Sequence, residues 1–441
     1  MTDAGPTVAK AKDGRGGFFA VDRRAWHLVT GLGMNPAVAY LVMARGTGGD
    51  NRSTKWSTNA IEKHTGIARS RCKLAVEALE KAGAVWRDPA GKRDHPRYKL
   101  VPAHEIVGCE GYVPPFPTDE HRAVHAALGH EWMNVPTWVG GAKSKAARQW
   151  GSAEPWRAAQ ALVSLGLAEQ RSTGTAFKAV HHDVEVAARP DWIWLPNTLV
   201  DGATDEVPPV ELARQTDSLP TLRLLVNVYG SHSLDEDGGI NSRRIRQTYE
   251  RHKVGEQGPY TVWGFASAHM TAWPSAPFVA VHLQGAKDEA GRKSGWDEFW
   301  TCWRRLEGLG LVQFVGHLMT SDGPTGEMLH PMALPGTGLP IEVALAEAAT
   351  EAGVALVTER QASFAFMHKN VEVLAPVKRH IENVQMVGVA RLRYRPRTSR
   401  TLAFFAREAE WTEALDQLRS IAAGQPEAPS RAPCNIKEGS R

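Results

Sequence analysis

Trp56-Ser57-Thr58-Asn59-Ala60-Ile61-Glu62-Lys63-His64-Thr65-Gly66-Ile67-Ala68-Arg69-Ser70-Arg71-Cys72-Lys73-Leu74-Ala75-Val76-Glu77-Ala78-Leu79-Glu80-Lys81-Ala82-Gly83-Ala84-Val85 reads as a helix, a tight turn and a second helix. Ser57 is a good N-cap, and Ile61 falls on the inner face of the first helix. Thr65-Gly66-Ile67 breaks that helix, because Gly reaches the left-handed conformation that ends a helix and Ile67 turns back into a core. The second helix is predicted from about Arg69 to Ala82. Its apolar positions Cys72, Ala75, Val76 and Leu79 recur at three- and four-residue spacing, which leaves Ala68, Arg69, Ser70, Arg71 and Lys73 on the outside near its N-terminal end. After Gly83 the period changes. Ala84-Val85-Trp86-Arg87 and Arg97-Tyr98-Lys99-Leu100 read as two short strands joined by the basic, turn-rich loop Asp88 to Pro96.

A helix-turn-helix followed by a basic hairpin resembles the winged helix-turn-helix family of DNA-binding domains. The resemblance covers Phe18 to Pro102, with Pro36 opening the first, scaffolding helix. It implies that the second helix of the pair lies in the major groove, with Arg69, Ser70, Arg71 and Lys73 reaching base edges and phosphates. Thr58 and Asn59 would hold the backbone near the first helix, and Lys92, Arg93, His95 and Arg97 would grip the flanking groove from the wing. Charge is distributed accordingly. From Arg52 to Lys99 there are twelve Lys/Arg against five Asp/Glu, an excess of seven, whereas the whole chain carries +4; a phosphate-binding footprint needs such concentration. Winged helices also serve as protein-docking modules, so the partner is either double-stranded DNA or protein.

Aligning the chain on a helix-terminal Gly exposes a repeat. Leu79 to Val85 matches Leu162-Val163-Ser164-Leu165-Gly166-Leu167-Ala168 and Leu306-Glu307-Gly308-Leu309-Gly310-Leu311-Val312. In each copy a helix that buries one face ends at Gly and runs into a strand. The expected order is therefore a flexible arm (1–17), a winged helix-turn-helix domain (18–105), a Pro/Gly-rich linker, a smaller winged-helix-like domain (118–190), a third with an insertion (191–335), an α/β domain (339–424) and a disordered tail (425–441).

In the third module the expected helices are Leu219 to Tyr229, the basic stretch Asn241 to Lys253, and Trp296 to Leu309, followed by a hairpin from Leu311 to His330. Arg243 and Arg244 on the second of these helices are candidates for DNA contact or for a packing or dimer role. In the last domain, Val354-Ala355-Leu356-Val357-Thr358 and Phe364-Ala365-Phe366-Met367-His368 are predicted strands. A further strand from Val389 alternates from Arg391, which would line up Arg391, Arg393, Arg395 and Arg397 on one face, suited to a phosphate backbone or to an edge protected by charge. The fold class expected is mainly α with small β-hairpins (α+β): tandem winged modules and an α/β C-terminal domain.

Composition bounds the rest. The 441 residues predict about three domains, and 42% apolar with 23% charged residues is ordinary for globular chains. No run of eighteen apolar residues exists, so no membrane partner is expected. The N-terminus is polar without an apolar core, which reads as an arm rather than a signal peptide. Four scattered cysteines, Cys72, Cys109, Cys302 and Cys434, suit a reducing cytoplasm and offer no zinc spacing. Core packing is the reading for most of the fifteen Trp. The Gly-rich tract Gly46 to Asn51 lacks Lys-Ser/Thr at phosphate-loop spacing, so no nucleotide cofactor is expected. His181-His182-Asp183 lacks His-hydrophobic-His spacing, and Asp235-Glu236-Asp237 is too short for a calcium loop. The chain is expected to be no enzyme and to bind no metal. More than one winged module resembles the replication initiators of plasmids and mobile elements; the alternatives are a transcription regulator and a protein-binding adaptor.

Overall fold

The computed structural model describes residues 17–92, 96–107, 109, 119–128, 132–134, 154–164, 167–171, 176–180, 190–203, 206–233, 238–321, 323, 326–395 and 407–424. The chain forms two compact units, one of Phe19–Trp194 and one of Leu195–Arg441 with the first residues of the chain.

In the first unit β1 (Phe18–Asp22) leads into α1 (Arg23–Thr30) and α2 (Met34–Arg45). Asp22 caps α1 by accepting from the Arg24 N–H at 3.1 Å. Then come β2 (Ser53–Thr54), α3 (Thr58–Thr65), α4 (Arg69–Lys81), β3 (Val85–Asp88) and β4 (Arg97–Leu100). The strands form a three-stranded antiparallel sheet in the order β2-β4-β3. Alternation decides its faces: Tyr98 and Leu100 are buried, while Arg97 and Lys99 point outward. The core beneath holds Val38, Leu41 and Val42 of α2, Ile61, Ile67, and Cys72, Ala75, Val76 and Leu79 of α4.

A second arrangement follows in the same unit. It contains α5 (Asp119–Leu128), β5 (Met133–Asn134), α6 (Glu154–Ser164), β6 (Ala168–Gln170) and β7 (Ala176–Ala179). Its sheet order, β5-β7-β6, repeats the first, with the last strand in the middle. Val124, Leu128, Ala159, Leu162, Leu167 and Phe177 make its core, and Trp156 meets Phe177 edge-on at 5.0 Å. His125 donates through Nε2 to the Val180 carbonyl at 2.8 Å. A last strand, β8 (Trp192–Pro196), pairs with β1.

The Gly-aligned repeat has a common hydrogen-bond pattern. Ala84 N–H donates to Leu79 O (3.0 Å), Leu167 to Leu162 (2.8 Å) and Leu311 to Leu306 (2.9 Å), the six-to-one bond of a helix C-terminus. Gly83 and Gly310 have φ of 73° and 64°. The residue after each Gly then accepts from a later strand: Ala84 from Val101, Leu167 from Val180, Leu311 from Arg393.

The third copy departs at that last bond. Its strand partner comes from beyond residue 385, because the second unit is built on one six-stranded sheet. Its helices are α7 (Thr198–Asp201), α8 (Pro209–Gln215), α9 (Leu219–Tyr229), α10 (Pro277–Leu283), α11 (Glu289–Gly308), α12 (Pro340–Ala355), α13 (Glu359–His368) and α14 (Glu408–Ala422). The strands are β9 (His232–Ser233), β10 (Gly239–Ile240), β11 (Ile245–Gln257), β12 (Tyr260–Ala272), β13 (Val312–Met319), β14 (Met328–Met332), β15 (Val373–Lys378) and β16 (Gln385–Leu392). The large sheet runs β14-β13-β16-β11-β12-β15. Against it pack α12 and α14, through Leu345, Ala349, Ala352, Trp411, Leu415 and Leu418. A separate aromatic cluster of Phe278, Phe299 and Trp303 joins α10 to α11.

Several expectations are corrected here. Among the described residues 45% are helical and 26% are in strands, so the α+β class holds, but a six-stranded sheet stands beside the small hairpins that were expected. The segments 191–335 and 339–424 contribute strands to one sheet, so they are not separate domains. Asn241 to Lys253 is a turn and strand β11, not a helix. Its Asn241 side chain accepts from Arg243 N–H at 2.9 Å in a local turn. Past Ile245 the backbone is then paired with β12 along its length and with β16 at Arg246 to Thr248, and pairing on both sides overrides local helix preference. Phe364 to His368 is helix α13 and Val354 to Thr358 is the end of α12 and a turn. Both read as strands from sequence because short apolar runs do not distinguish the two periods. The expected hairpin after α11 forms as β13 and β14.

Candidate nucleic-acid interface

The turn between α3 and α4 is held by its own sequence. Gly66 ends α3 at φ 65°, with its N–H donating to Glu62 O at 2.8 Å. The Thr65 hydroxyl donates to Ile61 O at 2.6 Å and accepts from Ile67 N–H at 3.2 Å, and Cys72 Sγ reaches Ile67 O at 3.1 Å. Ile67 is thereby pinned in the core, and the first turn of α4 emerges directly from it.

That turn carries no acidic residue. Arg69, Ser70, Arg71 and Lys73 are all exposed. Cations at a helix N-terminus oppose the positive end of the helix dipole, a cost of a few tenths of a kcal/mol that an anion placed there would offset. Arg69 lies 3.6 Å from Glu62, with 56% and 43% of the two side chains exposed. At that exposure the pair contributes about 0–1 kcal/mol and is readily exchanged for another anion.

The start of α3 faces the hairpin across a cleft of about 540 Å³ lined by Lys55, Trp56, Ser57, Asn59, Ala60, Ala90, Lys92, Pro96 and Arg97. Of the expected residues, the fold brings Asn59, Lys92 and Arg97 to this one cleft, with Thr58 next to Asn59 half-buried in the first turn of α3. Arg93 and His95 lie outside the described residues, as do His181 to Asp183, Asp235 to Asp237, Arg397 and Cys434. The sequence reading missed Lys55 and Trp56. The Trp56 ring is stacked on His64 at 4.7 Å and 15°, with the Arg45 guanidinium 5.5 Å from its centroid. Gly46 makes room for it, since a Cβ there would sit 2.2 Å from Trp56 Cγ. Also missed was Leu74, 64% exposed on α4; it breaks the amphipathic pattern, and that was the available signal.

The other expected cations lie elsewhere in the fold. Arg243 and Arg244 are exposed in the turn before β11. The row Arg391, Arg393, Arg395 does not exist, because β16 ends at Leu392 and the alternation continues only in sequence. Arg391 is fully buried, donating to the buried Glu342 and through Nη2 to His317 Nε2 at 2.7 Å. Glu342 in turn accepts from Leu339 N–H at 2.7 Å at the start of α12. Arg393 pairs with Glu206 at 2.7 Å. Arg395 donates to Leu392 O at 3.2 Å, and burial lowers its pKa to about 10. Burial, reinforced by Arg391 and Arg407, holds His317 neutral, well below the ordinary histidine range, which suits its role as acceptor from Arg391.

Among the described residues no group of three or more His, Cys, Asp or Glu side chains converges as metal ligands would, and no helix is long and apolar enough to cross a membrane. Comparison of the chain with protein-family models, curated proteins and solved structures found no match to any of them.

Proposed function

We propose that Met34 to Pro102 is a winged helix-turn-helix that binds double-stranded DNA, with α4 in the major groove and the β3–β4 hairpin on the flanking backbone. The observation that carries this reading is the set of exposed cations without an acidic partner among the described residues: Arg71 and Lys73 near the N-terminal end of α4, Lys92 and Arg97 on the hairpin side of the cleft. Unneutralised cations placed together by two different elements are what a phosphate backbone recognises. Lys55 and the first turn of α3 add to the same cleft, where Asn59 and the α3 N–H groups would hold one phosphate.

The second arrangement, α5 to β7, repeats the sheet order and helix cap of the first. Two modules in one chain support binding of successive grooves, and on that architecture the process served is initiation of replication by a plasmid or mobile element. Exposed Leu74 on α4 supports a rival, in which the same surface docks protein. Alanine variants separate the two. Arg69→Ala and Arg71→Ala relax sequence preference in a duplex selection, whereas Lys92→Ala weakens all duplexes alike and lowers the salt slope by about one. If Leu74→Ala abolishes capture of a protein while all cation variants bind duplex as the parent does, α4 is a docking surface instead.

A further inference from the structure

The two three-stranded sheets share a feature that duplex recognition by α4 does not use. In the first sheet, Lys99 lies opposite Trp86 on the outward face, and its ammonium is 5.3 Å from the ring centroid; Trp86 is 47% exposed. In the second, Met133 pairs with Phe177, so the next outward position on that side puts Trp132 beside Lys178, 5.9 Å from the ring, with the Arg171 guanidinium 6.0 Å away. Trp132 is 41% exposed.

Lys99 and Lys178 occupy equivalent positions. Each follows the inward aromatic of the central strand, Tyr98 or Phe177, and each lies two residues before the N–H that bonds back to the start of the sheet, Val101 or Val180. The tryptophans are not equivalent. Trp86 comes from the strand after the long helix, where the second sheet has Glu169, and Trp132 comes from the other side, where the first sheet has Ser53. The same indole–ammonium pair is therefore reached by two routes. Burial does not account for it, because both rings stay about half in solvent.

We propose that these outward faces bind single-stranded nucleic acid, one base stacking on each indole while Lys99, Lys178 and Arg171 hold the adjoining phosphates. A flat exposed ring flanked by cations is the arrangement that accepts any base by stacking and any backbone by charge. Phosphate and base together account for the pairing of ring with cation better than an acidic peptide does, since carboxylates alone have no use for the indoles. The inference is independent of the duplex reading, which rests on α4 and the cleft.

The test uses the full chain and fluorescein-labelled oligo(dT) of twenty nucleotides, read by anisotropy at low salt. Trp86→Ala and Trp132→Ala each weaken binding roughly tenfold, the double variant more, and Trp86→Phe with Trp132→Phe retains most of the affinity. Circular dichroism stays at the parental trace in both alanine variants, and Trp132→Ala, which lies outside α4 and the β3–β4 hairpin, keeps parental affinity for duplex DNA, which separates this proposal from failure of the duplex reading. Parental affinity for oligo(dT) in the double alanine variant overturns the proposal. So does absence of oligo(dT) binding by the parent, or displacement of the oligonucleotide by poly-glutamate at equal charge concentration.

Discussion

Two basic runs of this chain resemble each other in sequence and differ in the fold. Arg69, Arg71 and Lys73 open helix α4 and project into solvent, and Arg69 makes only a loose pair with Glu62. Arg391 lies in strand β16 just before its last residue, Leu392, and Arg393 and Arg395 follow it; there the first is sealed inside the unit with Glu342 and His317 while the second is tied to Glu206. The contrast teaches that a run of cations is a footprint only where the surrounding register leaves it uncompensated. In α4 the buried stripe is supplied by Cys72, Ala75, Val76 and Leu79, so the cations are left outside. In β16 both flanks are occupied by β13 and β11, and one face lies beneath α12, so an outward-looking alternation turns one arginine inward.

The sharpest way to break this contrast is to remove a member of each run. Arg391→Met strands Glu342 as an uncompensated buried carboxylate and is expected to cost about 3–5 kcal/mol in urea denaturation, with much of the loss recovered in Arg391→Met/Glu342→Leu. A loss below 1 kcal/mol would place the ion pair in solvent. Next in size is a pH effect on the same unit. Burial lowers the pKa of His330 to about 4, and burial together with Arg395 and Arg391 lowers that of His232 to about 3. Both histidines are neutral when folded and regain an ordinary pKa near 6.5 on unfolding. Their contribution to stability is therefore complete above about pH 6.5 and is lost as pH falls toward the folded values, on the order of 1 kcal/mol per pH unit for each. Urea midpoints at pH 7 and pH 5 measure it, and His330→Gln reduces the slope.

Gly46→Ala drives a methyl into Trp56 and is expected to cost about 1–3 kcal/mol, with weakened duplex binding because the cleft loses its wall. Smallest in stability is Arg71→Ala, within about 0.5 kcal/mol of the parent. Its effect appears instead in duplex affinity and sequence preference, so the two arginine variants should differ in opposite directions on the two measurements.

What could be read from the chain alone follows the same division. The helix, turn and helix from Thr58 to Lys81 were legible because the three- and four-residue spacing of Cys72, Ala75, Val76 and Leu79, and Gly66 as a stop, are local signals. The Gly-capped repeat was legible for the same reason, and its hydrogen bonds recur in all three copies. Strand β11 was not, since Arg243 to Lys253 carries no clear period and is decided by β12 and β16, the second of them some 140 residues later in sequence. The burial of Arg391 depends on Glu342, 49 residues away, and no spacing rule connects the two. Of the site, the cations of α4 and the hairpin were visible, whereas Lys55 and Trp56 became part of it only when α3 was placed against the hairpin.

The central claim is that α4 and the hairpin form a phosphate-gripping surface. Its most direct test is a titration of the purified chain with mixed-sequence duplex DNA at two salt concentrations. A steep loss of affinity as salt rises, made shallower by Lys92→Ala, is the predicted result. No binding to duplex even at low salt would contradict it.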